Sequence, residues 1–348
     1  MLDTGLDSTD GRATVSLPDM FKSFLVGDPV VNPHYELVRA ESEKWLQSVM
    51  LLSPKESKRV HYCDFSYFVA VLIPQAPKEK LKIACDWGNW VFMFDDMFDE
   101  GHLRNDVDAS QNIIRNLLSI MLPELDRLSE EPVVTAHDSI YIRLAAGSSP
   151  RIIKRYVDAM KAYCAGALQH VEDYAADRMP TVPEMLETRR MSIGVFPMYP
   201  LVEFAYDLNL PDEVFLHPTI QMLENLGAEF VMMMNDILSY QKEEMEECPF
   251  NTVAVCRMNG ASAQHAFDEI ASLIEARFYL WDETLKTLPS WGEKVDFQVH
   301  RYIQGIQNIV QANLSGSFRT GRYYGPKAEK VRQSREIDVL ARPSFLSV

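Results

Sequence analysis

Apolar side chains recur three and four positions apart along most of the chain, which is the spacing of one face of an α-helix. One clear example is the series Ile152, Tyr156, Met160, Tyr163 and Ala167. Alternating β-branched residues, the pattern of strands, are nearly absent. The pattern predicts a single all-α domain, a bundle of about ten or eleven helices. These predicted helices cover residues 35–52, 54–73, 77–100, 107–129, 134–146, 150–178, 182–207, 215–247, 251–258, 263–287 and 291–316.

Local signals place several helix ends. Capping boxes with proline in the first turn predict helix starts at Ser53 and Thr181, and Ser149 followed by proline predicts a third. Gly194 and Pro197 predict a break within the segment 182–207.

The two ends of the chain lack helical periodicity and carry polar, proline or charged residues. We therefore expect a flexible N-terminal tail over residues 1–20, one domain over 21–325 and a C-terminal tail over 326–348. The first ten residues do not resemble a signal peptide, and no segment approaches the roughly 20 apolar residues of a membrane span. The five cysteines form no CxxC pair. Together these features predict a cytoplasmic protein with reduced, buried thiols.

The net charge of the chain argues against some classes of function. The chain has 34 basic and 50 acidic residues, a formal net charge of −16. Such a chain repels nucleic-acid backbones, so we expect no nucleic-acid partner. A phosphorylated small molecule would have to be held by metal ions or by a local cationic pocket. Dinucleotide-binding, P-loop, zincin and hydrolase motifs are absent from the sequence.

A first acidic motif follows an aromatic stretch that includes Trp90 and Phe92. On a helix, Asp95, Asp96 and Asp99 project from one side, and their like charges repel one another. Hard oxygen ligands placed in this way suit Mg²⁺, which resolves the repulsion. The alternative is a solvated acidic helix end, although negative charge at a helix C-terminus opposes the helix dipole.

A second polar stripe lies directly after an apolar run on one long predicted helix. Asn235, Ser239 and Glu243 are spaced four and four, so they wind through about 80° over about 12 Å and offer three oxygen ligands to one hard cation. Lys242 adds a positive charge suited to phosphate. The alternative is a hydrogen-bond network between helices.

Basic residues near these motifs form a third candidate group. Arg189 precedes the predicted helix break, and Arg322 and Tyr323 follow the last helix. Each alone is more often a surface residue than a ligand. Together with two acidic metal-binding faces, they would complete a clamp for a diphosphate group.

The motifs in this order resemble the class I terpene synthases. The triplet Asp95, Asp96 and Asp99 is similar to the DDxxD motif of that family, and Asn235, Ser239 and Glu243 are similar to its NSE triad. Arg189 lies 46 residues before Asn235, where the family has its diphosphate-sensing arginine, and Arg322-Tyr323 resembles its RY pair. Ser192 and Ile193 fall at the family's linker and effector positions. The resemblance implies a helical bundle around a central cavity.

In detail the chain is most similar to fungal, mushroom-type sesquiterpene synthases of the clade that makes protoilludene. That resemblance implies a magnesium-dependent cyclase with three Mg²⁺ ions. It would ionise farnesyl diphosphate, release diphosphate and close the chain between C1 and C11 through a humulyl cation. Arg189, Lys242, Arg322 and Tyr323 would bind the diphosphate. One departure is Gly316, where those relatives usually carry tryptophan.

Aromatic side chains would steer the cation, and Phe92 and Trp90 are the nearest candidates to the aspartates, followed by Phe65 and Phe68. The alternative for each is core packing. Two rival functions remain: a prenyl-chain-elongating enzyme of the same fold, which would need a second DDxxD, and a non-catalytic helical binding module. No feature indicates an obligate protein partner.

Overall fold

The computed structural model describes residues 11–99, 101–176, 178 and 180–343. Within them the chain forms fifteen α-helices and two short strands. The first half contains β1 (Arg12–Ser16), α1 (Tyr35–Val49), α2 (Pro54–Cys63), α3 (Phe65–Leu72), α4 (Lys78–Asp99), α5 (Val107–Ser119), α6 (Pro132–Ala146) and α7 (Pro150–Ala175). The second half contains α8 (Val182–Ser192), α9 (Met198–Ala205), α10 (Asp212–Phe215), α11 (Pro218–Met245), α12 (Thr252–Met258), α13 (Ala263–Lys286), α14 (Glu293–Arg319), α15 (Ala328–Ser334) and β2 (Glu336–Leu340).

The all-α prediction is confirmed, and so are the helix starts. Both capping boxes form, at Ser53 and at Thr181, and the Ser149 side chain caps α7. The predicted helix over 54–73 is instead two helices, because Asp64 adopts a left-handed conformation with φ of 53° and turns the chain. The predicted break after α8 is present, with Gly194 at φ of 75°.

The ends of the described chain differ from the expected loose tails. β1 and β2 pair antiparallel, with Ala13 opposite Val339. Alternate residues of the pair face the protein, so that Val15 and Val339 are buried. The pair also lies against α11, where the Leu340 N–H donates to Glu244 Oε1 at 2.8 Å. Each strand satisfies the backbone groups of the other, which neither could do alone. Residues 1–10 and 344–348, also expected to be tails, lie outside the described residues.

Helix α11 is the centre of the core and packs against α8, α12, α13 and α14. Its middle segment, which includes Phe230, Met232 and Met234, is fully buried. Helix α3 packs on α4 and α14, so the polar C-terminal halves of α4 and α11 are held in one bundle. Among the described residues no helix is long and apolar enough to cross a membrane. All five cysteines are free and buried, as predicted.

Candidate active site

The three aspartates lie in the last turns of α4, and each is partly buried. Tyr163 of α7 donates a hydrogen bond to Asp95 Oδ1 at 2.9 Å. Burial raises the pKa of Asp95, and the charge of Asp96 raises it further. Burial and the charge of Asp95 likewise raise the pKa of Asp99. The raised pKa values show that further negative charge is unfavourable here, and a bound cation would relieve that cost.

Among the described residues, Asp96 is the aspartate of the three that accepts hydrogen bonds from arginines. Arg322 donates from Nη2 to Oδ1 at 2.7 Å and from Nη1 to Oδ2 at 3.2 Å. Arg59 of α2 donates from Nη2 to Oδ2 at 2.8 Å. The RY pair is therefore docked directly on the aspartate motif.

The Asn235, Ser239 and Glu243 triad lies along the C-terminal half of α11. Ser239 is only 1% exposed, and its Oγ has no hydrogen-bond partner among the described residues. Glu243 accepts a hydrogen bond from Asn251 Nδ2 at 2.8 Å, while burial and the charge of Asp236 raise its pKa to about 7. A buried hydroxyl without a partner is costly. Along α11 the Ser239 hydroxyl lies between the Asn235 amide and the Glu243 carboxyl group, and this position fits a metal ligand.

Arg189 connects the two acidic helices. Its Nη2 donates to Asp236 Oδ1 on α11 at 2.7 Å, and its side chain is 7% exposed. Burial alone would lower the pKa of the Arg189 guanidinium, but the charges of Asp236, Asp99 and Glu243 raise it above its usual value. These neighbours come from both α4 and α11. The structure thus brings the two predicted motifs to one place, with Arg189 beside both.

The helix break lies next to Arg189. Ser192 ends α8, and its Oγ lies 3.3 Å from His170 Nε2. Burial lowers the pKa of His170 to about 3, which keeps this imidazole neutral. Ile193 caps the helix, and its N–H donates to the Arg189 carbonyl. A side chain at Gly166 of α7 would place its Cβ 2.8 Å from the Ser192 nitrogen, so α7 and the end of α8 are in close backbone contact.

The remaining predicted diphosphate contacts lie on the same side of α11. Asn235 Nδ2 donates to the Tyr323 hydroxyl at 3.0 Å, which joins the triad to the RY pair. Lys242 forms an ion pair with Glu246 at 2.6 Å on the same helix.

One cavity joins this polar end to an aromatic wall. Its volume is about 40 Å³. Phe92 stacks on Phe65 with ring centroids 3.8 Å apart, and Phe68 meets Phe92 edge-on. Gly316 of α14 also lines the cavity, and a Cβ there would meet nothing closer than Phe68 Cδ2 at 4.0 Å. The polar part of the lining includes Asn235, Asn313, Ser317, Arg322 and Tyr323.

Trp90 does not line this cavity, contrary to the expectation from sequence. It is fully buried, and its indole N–H donates to the Val133 carbonyl of α6 at 2.8 Å. Its ring stacks on Phe94 and lies close to His137. Trp90 and Phe92 are two residues apart, so they lie on opposite faces of α4. Trp90 therefore serves the α4–α6 packing.

The chemistry of the donor set fits a divalent cation. Asp95 and Asp99 offer carboxylates on α4, while Asn235, Ser239 and Glu243 offer three kinds of oxygen on α11. No three acidic, histidine or cysteine side chains of the described residues converge on one point as a finished cage. Mg²⁺ needs no such cage, because it keeps waters and takes oxygens from a bound phosphate. The unpartnered Ser239 hydroxyl is the observation that favours this fit.

Several site residues were missed by the sequence reasoning. Tyr163 and Asn251 each hold one acidic ligand, Arg59 holds Asp96, and Gly166 allows the close contact at the helix break. Tyr163 belongs to an apolar helical series, so its hydroxyl carried no separate signal. Asn251 is the N-cap of α12, and its capping role was the only sequence signal available.

Comparison with known proteins identifies the family. A sequence model described as terpene synthase family 2, C-terminal metal binding, matches residues 86–278, which contain both acidic motifs and Arg189. The chain belongs to the terpene synthase family. A silphinene synthase of Penicillium patulum is 35% identical, with 94% of this chain and 91% of the relative covered. A Δ6-protoilludene synthase of Postia placenta is 32% identical, with 90% and 89% covered.

Solved structures agree on the fold. The crystal structure of an α-eudesmol synthase superimposes with a TM-score of 0.77 at 22% identity, covering 85% of this chain and 98% of the other. The protein is therefore a class I terpene synthase, an enzyme that acts on a prenyl diphosphate with a divalent metal ion. The two fungal relatives are named for different products at nearly equal identity. Overall similarity consequently does not identify the product.

Proposed function

We propose that this terpene synthase is a magnesium-dependent sesquiterpene cyclase that ionises farnesyl diphosphate and cyclises the resulting cation. The observation that carries the proposal is that one cavity has two unlike ends. One end bears Asn235, Arg322 and Tyr323, and the other bears stacked Phe65 and Phe92. A polar end beside a metal-ligand set suits a diphosphate, and an aromatic wall suits a hydrocarbon chain and its cation.

The polar end would hold the leaving group. Arg189, Arg322, Lys242 and Tyr323 would donate to diphosphate oxygens, because charged donors make the strongest contacts to phosphate. Mg²⁺, three ions by analogy with the family, would act as a Lewis acid that stabilises the charge on the departing diphosphate. The ligands would be Asp95, Asp96 and Asp99 on α4 and the Asn235, Ser239 and Glu243 triad on α11. Asp96 must then exchange its arginine partners, at least in part, for the metal.

The aromatic end would control the carbocation. Phe92, Phe65 and Phe68 present ring faces and edges in one cluster, and such faces contribute about 2 kcal/mol or more to a desolvated cation. Ser192 and Ile193 lie at the helix break beside Arg189, where backbone carbonyls leave the helical ladder. We propose that this break directs a carbonyl oxygen towards the cation. The break would then transmit diphosphate binding at Arg189 to the reacting carbons.

The proposed ring closure joins C1 and C11 through a humulyl cation, as in the protoilludene-forming relatives. A protoilludene synthase of similar sequence supports this route. The resemblance to those relatives implies a tryptophan where this chain has Gly316 beside Phe68, so we expect the final skeleton to differ from theirs.

The test is incubation of the purified protein with farnesyl diphosphate, with Mg²⁺ or with EDTA, followed by gas chromatography–mass spectrometry of a hexane extract. We expect a C15 hydrocarbon or alcohol only with metal, and its skeleton reports the first ring closure. Geranyl and geranylgeranyl diphosphate serve as matched substrates. Product from one of these alone would refute the sesquiterpene assignment, and a longer diphosphate formed with isopentenyl diphosphate would indicate chain elongation. No turnover of any substrate would favour a binding module.

A further inference from the structure

His170 of α7 is a buried imidazole outside the acidic and basic motifs, and it contacts the helix break. The residue is 6% exposed, and its Nε2 lies 3.3 Å from Ser192 Oγ. A hydroxyl and a neutral imidazole can form one hydrogen bond with either group as the donor. Ser192 is the last residue of α8 and lies three positions after Arg189. His170 therefore holds the point at which α8 ends.

A second neighbour of His170 belongs to the segment between α11 and α12. The Phe250 ring stacks on the imidazole, with ring centroids 5.2 Å apart and an angle of 23° between the planes. Phe250 also packs against Tyr174 at the end of α7, with 5.8 Å between the ring centroids. Such ring pairs are favourable beyond the area that they bury. The segment before α12 is thus anchored to α7 close to the helix break.

The residue after Phe250 holds the metal-ligand triad. Asn251 is fully buried, and its Nδ2 donates to Glu243 Oε2 and to the Asp236 carbonyl, each at 2.8 Å. The Thr252 N–H donates to Asp236 Oδ2 at 2.8 Å. Because Phe250 and Asn251 are consecutive, a displacement of one moves the other. The position of the Glu243 carboxyl group is therefore linked to that of the stacked imidazole.

These contacts form a second connection between α11 and the end of α8. The first connection is ionic, from Arg189 Nη2 to Asp236 Oδ1 at 2.7 Å. The second runs through Phe250 and His170 and carries no charge, because burial lowers the pKa of the imidazole to about 3. A bound diphosphate or metal ion would compete for the charges of the first connection. The second connection does not depend on those charges.

We propose that His170 is a positioning residue for the helix break, and that Phe250 links it to the segment that holds Glu243. His170 acts through Ser192 and is not itself a ligand of the substrate or the metal. This inference rests on the proposed function, because it supplies a physical link between the metal triad and the carbonyl that would face the cation.

The first test is hydrogen–deuterium exchange of the full-length free protein, read by mass spectrometry over residues 189–199. His170→Leu removes the hydrogen bond to Ser192, and His170→Gln supplies an amide that can replace it. We expect exchange in this segment to be about five- to tenfold faster in His170→Leu, on the scale of one net hydrogen bond. His170→Gln should recover part of the lost protection. Phe250→Leu, which removes the stacked ring, should accelerate exchange there about two- to tenfold.

His137→Leu is the matched control. His137 of α6 is also buried, and burial lowers its pKa to about 3. Its Nε2 lies 2.9 Å from the Tyr156 hydroxyl, which belongs to the packing of α6 on α7. We expect His137→Leu to leave exchange over residues 189–199 at the wild-type rate.

The second test separates positioning from binding. Calorimetric titration of inorganic diphosphate in excess Mg²⁺ measures binding, and product release from farnesyl diphosphate measures turnover. We expect His170→Leu to keep the wild-type diphosphate affinity within about twofold and to lower turnover about five- to tenfold, because the charged donors stay in place while the helix break shifts. His170→Gln should regain part of the turnover. A larger loss of affinity than of turnover would contradict a positioning role.

The exchange results decide the inference independently of the proposed function. Wild-type exchange over residues 189–199 in His170→Leu would refute it, and so would equal acceleration in His137→Leu, since the effect would then follow general stability. If His170→Leu does not fold, wild-type exchange in Phe250→Leu is the refuting result. Failure of the wild type to bind diphosphate or to release a C15 product would refute the proposed function, while the exchange of the free protein would still report whether His170 holds the break.

Discussion

Replacing Ser239 with alanine should stabilise the protein and inactivate it. The side chain is 1% exposed, and its hydroxyl has no hydrogen-bond partner among the described residues. An unsatisfied buried hydroxyl costs about 1–3 kcal/mol, and alanine is the better helix former by about 0.5 kcal/mol. We therefore expect Ser239→Ala to raise the free energy of unfolding by about 1–3 kcal/mol in metal-free buffer.

The same change removes a proposed metal ligand. Loss of such an electrostatic contact reduces turnover by about 10²-fold or more. Urea unfolding in EDTA measures the stability, and release of C15 product with Mg²⁺ measures the turnover. Higher stability together with lower turnover is the result expected only if the Ser239 hydroxyl binds the metal and does not stabilise the fold.

Ser317→Ala is the matched control. Ser317 is also buried beside the cavity, but its hydroxyl donates to the Asn313 carbonyl at 2.7 Å. We expect at most about 1 kcal/mol loss of stability and retained substrate consumption for this variant. The reasoning is refuted if Ser239→Ala is less stable than the wild type, since the hydroxyl would then have a structural partner. Unchanged turnover in a folded Ser239→Ala protein would remove Ser239 from the ligand set.

Three further expectations concern the cavity and the core. Phe92→Ala should alter the product mixture seen by mass spectrometry. Trp90→Phe should lower thermal stability and leave the product mixture unchanged. The reverse result would contradict the placement of these two rings. Gly316→Ala should raise the free energy of unfolding by about 0.5–1 kcal/mol, because a Cβ fits and alanine favours the helix, and should shift the products by narrowing the cavity. Burial raises the pKa of Glu224 to about 7. Glu224 therefore contributes a loss of about 3 kcal/mol in the free energy of unfolding as pH rises from about 4.5 to 7. Urea titrations at the two pH values should show a loss that is smaller by about this amount in Glu224→Gln than in the wild type.

Helix positions were predictable because their signals are local. The capping boxes at Ser53 and Thr181 and the break at Gly194 depend on residues within one or two turns. The turn at Asp64 was missed because its left-handed conformation is supported by distant side chains. Tyr35 donates to its carboxylate at 2.5 Å, and Arg39 donates to the same oxygen at 3.1 Å.

The acidic motifs were predictable because spacing along one helix places side chains on one face. The residues that orient them were not, because they come from other helices. Tyr163 reaches Asp95 from α7, and Asn251 reaches Glu243 from the start of α12. Trp90 shows that a residue close to a motif in sequence need not lie in the site. It lies next to the motif in sequence, but the helix turns it towards α6.

Gly166 and Gly316, the two glycines near the site, differ in whether their surroundings permit a larger residue. At Gly166 any side chain would collide with the backbone of Ser192. The close contact between α7 and the helix break therefore does not tolerate even a small substitution. At Gly316 a Cβ would meet only Phe68 Cδ2, at 4.0 Å, so a methyl group fits there without disturbing the packing. Related enzymes can therefore differ in cavity shape at this position of α14, while the residues that bind the metal ions and the diphosphate stay the same. Two relatives that are 35% and 32% identical to this chain are named for different products, silphinene and protoilludene, which is the outcome that such a separation would produce.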